Sequence, residues 1–518
     1  MLHFNYPTIM NRIYKTLLYP ALSVVVVFTS CNKTLETEPI SSISGASFFK
    51  TENDIKGFNY GMYTLLRNET SFDTFALGEL RGETVEQGLA GTGGYDAYYK
   101  NTLAPDNLAP AITWAGYYKI VNAANLLIKY IPVTAFTSEV TRNDYLAQAY
   151  AMRAYVYFLM TRTWGDLPLR VEAIESVNLE TIQIAKSPQS DIFSLIKADI
   201  NKAVSLFSTN LIAGGRNLWS KPSANALKAD IYLWTAKRMG GGTADLNTAL
   251  DACNAVQTAD VSLLPVFANV FDYGAVNAGA SAGPNKGNKE VIMAVNYSFL
   301  DGTADNYYFN GYLPVTFTFA ATADLVAKAA IGQLGGNNIW QPSALVRNQF
   351  TTDDTRRNAS FVEVYNINPT TLVKTFAAAA IVKGDGYVNS GVRYFADDII
   401  LYRYADVLLM KAEANNALTQ DPSVEINLVR QRAYGAAYSA HIFTNGSQVT
   451  NDAAILQERL FELAYEGKRW FDLVRFGKAF DLVPSLQGKS TSQYLLLSPI
   501  NNTVIAAESK VTQNPGYN

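Results

Sequence analysis

The sequence predicts a mostly α fold: tetratricopeptide-like helical hairpins, with an irregular loop-rich region carrying short strands. Three observations point there. Apolar residues recur at i, i+3/i+4 and i+7 spacing through much of 54–256 and again through 401–475. Stretches 221–239 and 246–256 are joined by a turn containing Gly240, Gly241 and Gly242. They carry alanine at 224, 226, 229, 236, 249, 252 and 255, where helices of a hairpin approach closely. Between 261 and 395 the helical period is lost, and Gly, Asn and Asp clusters supply turn chemistry.

The first 30 residues read as a processing signal. Arg12 and Lys15 precede an apolar run over 17–28, then Thr29, Ser30 and Cys31. Pro20 and Ser23 interrupt that run, which is too short to span a bilayer. Met10 is an alternative start. The Cys after small residues resembles a bacterial lipoprotein cleavage site, with Phe28 where Leu is commoner. That resemblance implies acylation of Cys31 (palmitate among the chains) and anchoring in membrane lipid at about 0.8 kcal/mol per buried CH₂. Cys253 then has no disulfide partner. Residues 31–47 are polar, contain Pro39 and read as a flexible tether.

The elements follow in order. Residues 54–66 place Ile55, Phe58, Met62, Leu65 and Leu66 on one helical face. Residues 75–108 contain GTGGYDAYYK and read as a long loop, the kind of segment that often carries function. Helical spacing returns over 113–130 and 142–163, the latter ending at TWGDLPL, where Gly165 and Pro168 stop it. Residues 187–207 form another helix with Pro188 at its start, followed by the hairpin at 221–256. Within 261–395 the apolar pieces 291–295 and 361–364 read as strands. GQLGGN lacks the Lys-Ser/Thr of a phosphate loop and reads as a turn. Helices resume over 401–418 and 424–434, and the tail from 494 is irregular, with two prolines.

The densest helix signal is ERLFELAYEGKRWFDLVR, residues 458–475. Leu460, Leu463, Gly467, Trp470 and Val474 share one face, and Glu458, Glu462 and Glu466 form a ladder on the other. A like-charge ladder calls for cations from elsewhere in the fold, or for Arg459 and Arg469 to turn back onto it. Gly467 costs about 1 kcal/mol in a helix interior, so it marks either a close approach or a break.

Composition narrows the function. A net charge of -3 and a sequence pI of about 5.7 argue against a nucleic-acid partner. The chain has two histidines, His3 and His441, and two cysteines, Cys31 and Cys253. Zinc ligation by the usual sets is excluded, no cofactor is expected, and His441 has no nucleophile motif beside it. A glycosidase needs only two acids. The doublets Asp353/Asp354 and Asp397/Asp398 are the nearest material, but neighbours on a strand face opposite ways.

The chain resembles the SusD/RagB family of outer-membrane nutrient-binding lipoproteins. The resemblance rests on Cys31, AQAYAMRAYVYFLMTRTWGDLPL (147–169), NKEVIM (288–293), LYRYADVLLMKAEA (401–414), the 458–475 stretch, and SPIN…TQNPGY (498–517). It implies a helical scaffold and a non-enzymatic, surface-exposed, lipid-anchored protein of the outer membrane. Such a protein caps a SusC-like TonB-dependent transporter and hands it oligosaccharides or, in some members, peptides. The expected layout is a signal peptide over 1–30, the tether over 31–47 and a single SusD-like domain over 48–518. That domain divides into a helical part, 48–260, and a loop-rich part with C-terminal helices, 261–518. The remaining possibilities are a carboxylate-based glycan hydrolase and a purely structural scaffold.

The family's motifs are structural, so the candidate site comes from chemistry. Sugar rings stack apolar C–H faces on aromatic rings, and their hydroxyls bond to carboxylates, amides and guanidinium groups. Two loops have that mixture: Tyr95, Asp96, Tyr98 and Tyr99, and Asp305, Asn306, Tyr307, Tyr308, Asn310 and Tyr312. Trp340, after Asn337 and Asn338, is a third candidate.

Overall fold

Among the described residues of the N-terminal half there are six long helices, several of them started or stopped by local chemistry. Helix α1 (Glu52–Thr70) opens on a capping box between Thr51 and Asp54. Helix α2 (Ala115–Tyr130) follows. Helix α3 (Glu139–Trp164) is capped by Ser138 and ends at Gly165, whose φ of 80° few other residues adopt. Helix α4 (Gln189–Leu206) follows Pro188. Helix α5 (Lys221–Arg238) starts on a Ser220/Ser223 capping box with proline in its first turn. Helix α6 (Gly242–Gln257) completes the hairpin that the alanines predict. Each helix packs on the next, α1 on α2 through to α5 on α6, and α6 then packs on α7 (Tyr404–Ala417). Helices α8 (Ser423–Tyr434) and α9 (Gln448–Leu463) also pack on α7. The array is mostly α and tetratricopeptide-like, as the spacing predicts.

This computed structural model describes residues 48–91, 94–107, 112–176, 182–212, 215–271, 286–303, 307–314, 331 and 335–517. The expected signal, Cys31 and the tether lie outside the described residues, as do Asp305 and Asn306. Residues 49–518 make one unit.

Small antiparallel pairs lie between the helices. They join β1 (Val85–Gln87) to β3 (Trp340–Pro342) and β2 (Val291–Val295) to β8 (Ile399–Arg403). They also join β4 (Phe361–Ile367) to β5 (Lys374–Ile381) and β6 (Tyr387–Asn389) to β7 (Val392–Tyr394). Two expectations shift, and one strand is unforeseen. The helix expected at 401 begins at Tyr404, because Leu401, Tyr402 and Arg403 end strand β8. KTFAAAAI (374–381) is a strand despite four alanines, since pairing with β4 outweighs their helical propensity. The loop expected over 75–108 contains β1 and the short helices Asp73–Gly78 and Asp96–Tyr99.

Helix α3 also departs from a one-faced reading. From Ala147 to Trp164 every face is buried, which a helix does when neighbours surround it. Its two interior arginines are accounted for. Arg153 makes two bonds to Asp199, at 2.7 and 2.8 Å. Arg162 lies 3.7 Å over the Phe158 ring and 4.2 Å over Phe471.

The 458–475 stretch is two helices. Helix α9 ends at Leu463 and α10 (Arg469–Arg475) begins after a break in which Tyr465 and Gly467 have φ of 66° and 71°. Both readings of Gly467 hold, since a Cβ there would meet Thr74 O at 2.7 Å. Glu79 grips the break, accepting from Tyr465 N at 2.9 Å and Gly467 N at 3.2 Å. Arg469 bonds to Glu83 (Nε, 2.9 Å), and Arg459 to Asp472 and Asp406, at 2.8 Å each. The glutamate ladder is no solvated face: Glu458, Glu462 and Glu466 are 1%, 0% and 2% exposed. Their cations come from outside the stretch. Arg356 and Arg430 reach Glu458, at 2.7 Å each. Arg356, Arg403 and Arg432 reach Glu462, and Arg403 and Lys383 reach Glu466.

Burial pushes the Glu79 carboxyl up to about 7 from an ordinary 4.5, against the amide bond from Tyr465 and the nearby Lys383. The folded state therefore holds a proton that the unfolded chain releases, and this contribution to stability is complete below about pH 4.5 and lost as pH rises through 7. Glu79→Gln has no proton to lose. From pH 5 to pH 8, urea titrations should show the wild type losing about 1–3 kcal/mol relative to Glu79→Gln. A constant difference across that range would refute the assignment.

A candidate ligand-binding face

The structure brings together three stretches that lie far apart in sequence. Strand β1 sets Gln87 opposite Trp340 in β3. The Tyr99 ring lies 5.6 Å from Trp340, and the Tyr95 ring lies 6.3 Å from it. Tyr95 also packs on Phe72 at 4.5 Å. The 307–312 segment joins through its backbone, with Asn337 N donating to Phe309 O at 3.0 Å and Ile339 N to Asn310 O at 2.7 Å. Asn338 pins the junction. Its φ of 44° suits Asn better than most residues. Its buried side chain donates to Ala379 O and accepts from Leu89 N, at 2.9 Å each.

Within this assembly the eight candidates separate into two layers. Tyr98, Tyr307, Tyr308, Tyr312 and Trp340 are interior, at 1%, 2%, 4%, 0% and 0% exposure. They expose no ring face and pack behind the outer residues, where the sequence reading expects ligand contact. Tyr307 stacks on Phe75 at 5.2 Å, and its hydroxyl donates to Tyr465 O at 3.2 Å. Tyr312 packs edge-on to Phe395 at 5.1 Å. Burial raises the hydroxyl pKa of Tyr307, Tyr308 and Tyr312 well above the ordinary value. A segment with little regular structure must build its own core, and these tyrosine rings supply it, the Tyr307 hydroxyl finding a backbone partner as well. Tyr95, Asp96 and Tyr99 remain half-exposed.

Those three residues form the outer layer. The four-residue helix Asp96–Tyr99 orients them, so Tyr95 and Tyr99 both lean on the Trp340 side while Asp96 pairs with Lys100 at 2.9 Å. With both partners about half exposed, that pair is worth little. Gln87 and Gln341 flank the face, and Gln341 Nε2 donates to Glu86 Oε1 at 3.2 Å. Sequence reasoning missed both glutamines. Their only signal is a pairing of β1 with β3 across some 250 residues, which no local pattern shows.

The acids that a hydrolase would need are engaged. Asp354 pairs with Arg356 at 2.8 Å and Asp398 with Lys286 at 2.6 Å. Asp397 accepts from Gly386 N at 2.9 Å, and burial pushes its carboxyl up to about 8. Asp353 lies 2.7 Å from His441 Nε2, whose ring stacks on Tyr434 at 3.7 Å. Among the described residues no cluster of three His, Cys, Asp or Glu could hold a metal. Among those residues, too, no helix is long and apolar enough to cross a membrane.

Known proteins resemble this chain along nearly its full length. Residues 382–517 match the profile of the SusD family, and residues 35–233 match one described as "Starch-binding associating with outer membrane". SusD-like protein P38 of Formosa agariphila is 28% identical over 509 residues, covering 95% of this chain and 96% of that protein. The solved structure of NanU from B. fragilis is 32% identical, with a TM-score of 0.80, covering 93% of this chain and 100% of that one. A SusD superfamily protein from Bacteroides vulgatus is 30% identical, with a TM-score of 0.78, covering 90% and 100%. With the fold, both profiles and near-complete coverage in agreement, the chain belongs to the SusD/RagB family.

Proposed function

We propose that the protein binds oligosaccharides at the bacterial surface and delivers them to a SusC-like TonB-dependent transporter. The observation that carries the ligand class is the outer layer: two half-exposed tyrosine rings beside a carboxylate, with amide side chains at the rim. Rings of this kind cover the apolar face of a sugar, and the carboxylate and amides take its hydroxyls. The relatives favour the same class. The starch-binding protein SusD of Bacteroides thetaiotaomicron is 30% identical over 142 residues, 26% of this chain. A surface glycan-binding protein of the same species, solved with laminarihexaose, shares the fold at 18% identity and a TM-score of 0.68.

On this reading the protein is a binder and no hydrolase, held at the outer membrane by acylated Cys31 at the end of a tether. A glycan array followed by calorimetry tests the ligand class. With the best glycan, Tyr95→Ala and Tyr99→Ala together are expected to weaken binding at least tenfold, about 1.4 kcal/mol, with no reducing sugar released. Unchanged affinity would remove the face from the site, and hits confined to peptides would change the ligand class. Mass spectrometry of the native protein is expected to find Cys31 acylated; a free thiol there would refute the anchor.

A further inference from the structure

A second groove of about 270 Å³ opens between α1, the start of α3 and the segment before α5. Its size is close to the lower limit for small-molecule sites, about 300 Å³. Tyr60 (49% exposed) and half-buried Tyr145 offer ring surface, Leu211 adds an exposed apolar edge, and Asp144 supplies a carboxylate. Burial raises the Asp144 pKa, against a bond from the Ser208 amide.

The floor carries the decisive feature. Asn59 and Trp219 both line the groove at 1% and 2% exposure, and each has a polar atom without a partner: Asn59 Oδ1, an acceptor, and Trp219 Nε1, a donor. Buried polar atoms are ordinarily satisfied. Asn59 Nδ2 donates to Gln148 Oε1 at 3.0 Å. The same oxygen accepts from the Tyr63 hydroxyl at 3.0 Å, and that hydroxyl accepts from Trp219 N at 2.8 Å. A hydroxyl both donates and accepts, so adjacent hydroxyls on one ring answer an unfilled donor and an unfilled acceptor together.

We infer that this groove is a second carbohydrate subsite, taking a pyranose between Tyr60 and Tyr145 with its hydroxyls on Asn59, Asp144 and Trp219. It rests on the glycan reading for its ligand class and is separate in space from the first face. Asn59 precedes the end of α1 by about 16 Å of helical rise, and Phe72, which backs Tyr95, lies beyond that end. Two sites on one chain hold a long glycan by more than either alone, because the second contact becomes intramolecular.

The indole N–H signals of ¹⁵N-labelled protein read both sites at once, with Trp219 reporting the groove and Trp340 the aromatic face. D-glucose, D-galactose and maltohexaose are the probes. The expected result is a saturable shift of the Trp219 signal, assigned with Trp219→Phe, whose midpoint rises at least tenfold in Asp144→Asn. Movement of Trp340 with Trp219 fixed would overturn the groove and leave the first site standing. Failure of Trp219 to move with any of the three sugars would overturn it too, whatever the array finds for the first site. A Trp219 shift indifferent to Asp144→Asn would refute the assigned contacts.

Discussion

Glu462→Gln is expected to lower folding stability by about 3–5 kcal/mol, the range for breaking a buried ion pair from one side. Glu462 is fully buried, and it accepts from Arg403 at 2.5 Å, Arg356 at 3.3 Å and Arg432. Arg403 also reaches Glu466 and Glu290, at 2.8 Å each. Removing one negative charge therefore strands positive charge where water cannot reach. Burial pushes the Glu462 pKa up, but Arg432, Arg403 and Arg356 outweigh it and hold the carboxyl well below the ordinary 4.5. Its contribution is present above about pH 4.5 and lost as pH falls through the lower folded value. Urea titration at pH 7 checks the size of the loss, and calorimetry on the folded fraction should find glycan affinity within about twofold. A large loss of affinity at unchanged stability would place the ladder at the ligand.

Gly78→Ala is the second large effect. A Cβ at Gly78 would lie 1.8 Å from Gly467 O, backbone against backbone, with no side chain free to swing away. Gly467 faces the same crossing from the other side, against Thr74 O, and its φ of 71° adds strain for any L residue. Overpacking costs about 1–3 kcal/mol where a core can adjust, and two crossing backbones adjust poorly. Gly78→Ala should therefore destabilise by at least the upper part of that range in urea titration. Gly57→Ala, where a Cβ meets nothing within 4 Å, should stabilise α1 by about 0.5–1 kcal/mol. Equal effects at the two glycines would refute the close crossing.

The helical scaffold was readable because its signals are local. Apolar spacing, Pro188 at a helix start, and the stops at Gly165 and Gly240 lie within a few residues of what they control. Where a residue's environment comes from distant segments, that legibility ends. The ladder at 458, 462 and 466 calls for cations, but which ones, Arg356, Arg403 and Arg432 among them, only the fold decides. Tyr98 and Tyr99 are adjacent and chemically identical, yet one is interior and the other is partly exposed beside Trp340, which comes from some 240 residues away. KTFAAAAI carries four alanines in a row and is a strand through pairing with β4.

The grip of Glu79 on Tyr465 and Gly467, and of Glu83 on Arg469, has a consequence for how the protein comes into being. These bonds tie positions 386 or more residues apart. The tail repeats the pattern, with Asn514 donating to Trp164 O at 2.7 Å across 350 residues. Such ties form only after a long loop closes, which slows folding. The early helices emerge from the ribosome without the segments that clamp them, and the final latch waits for the last few residues. A chain that lacks the C-terminal segment therefore lacks these bonds, and the crossing of the two distant segments closes only when that segment is present.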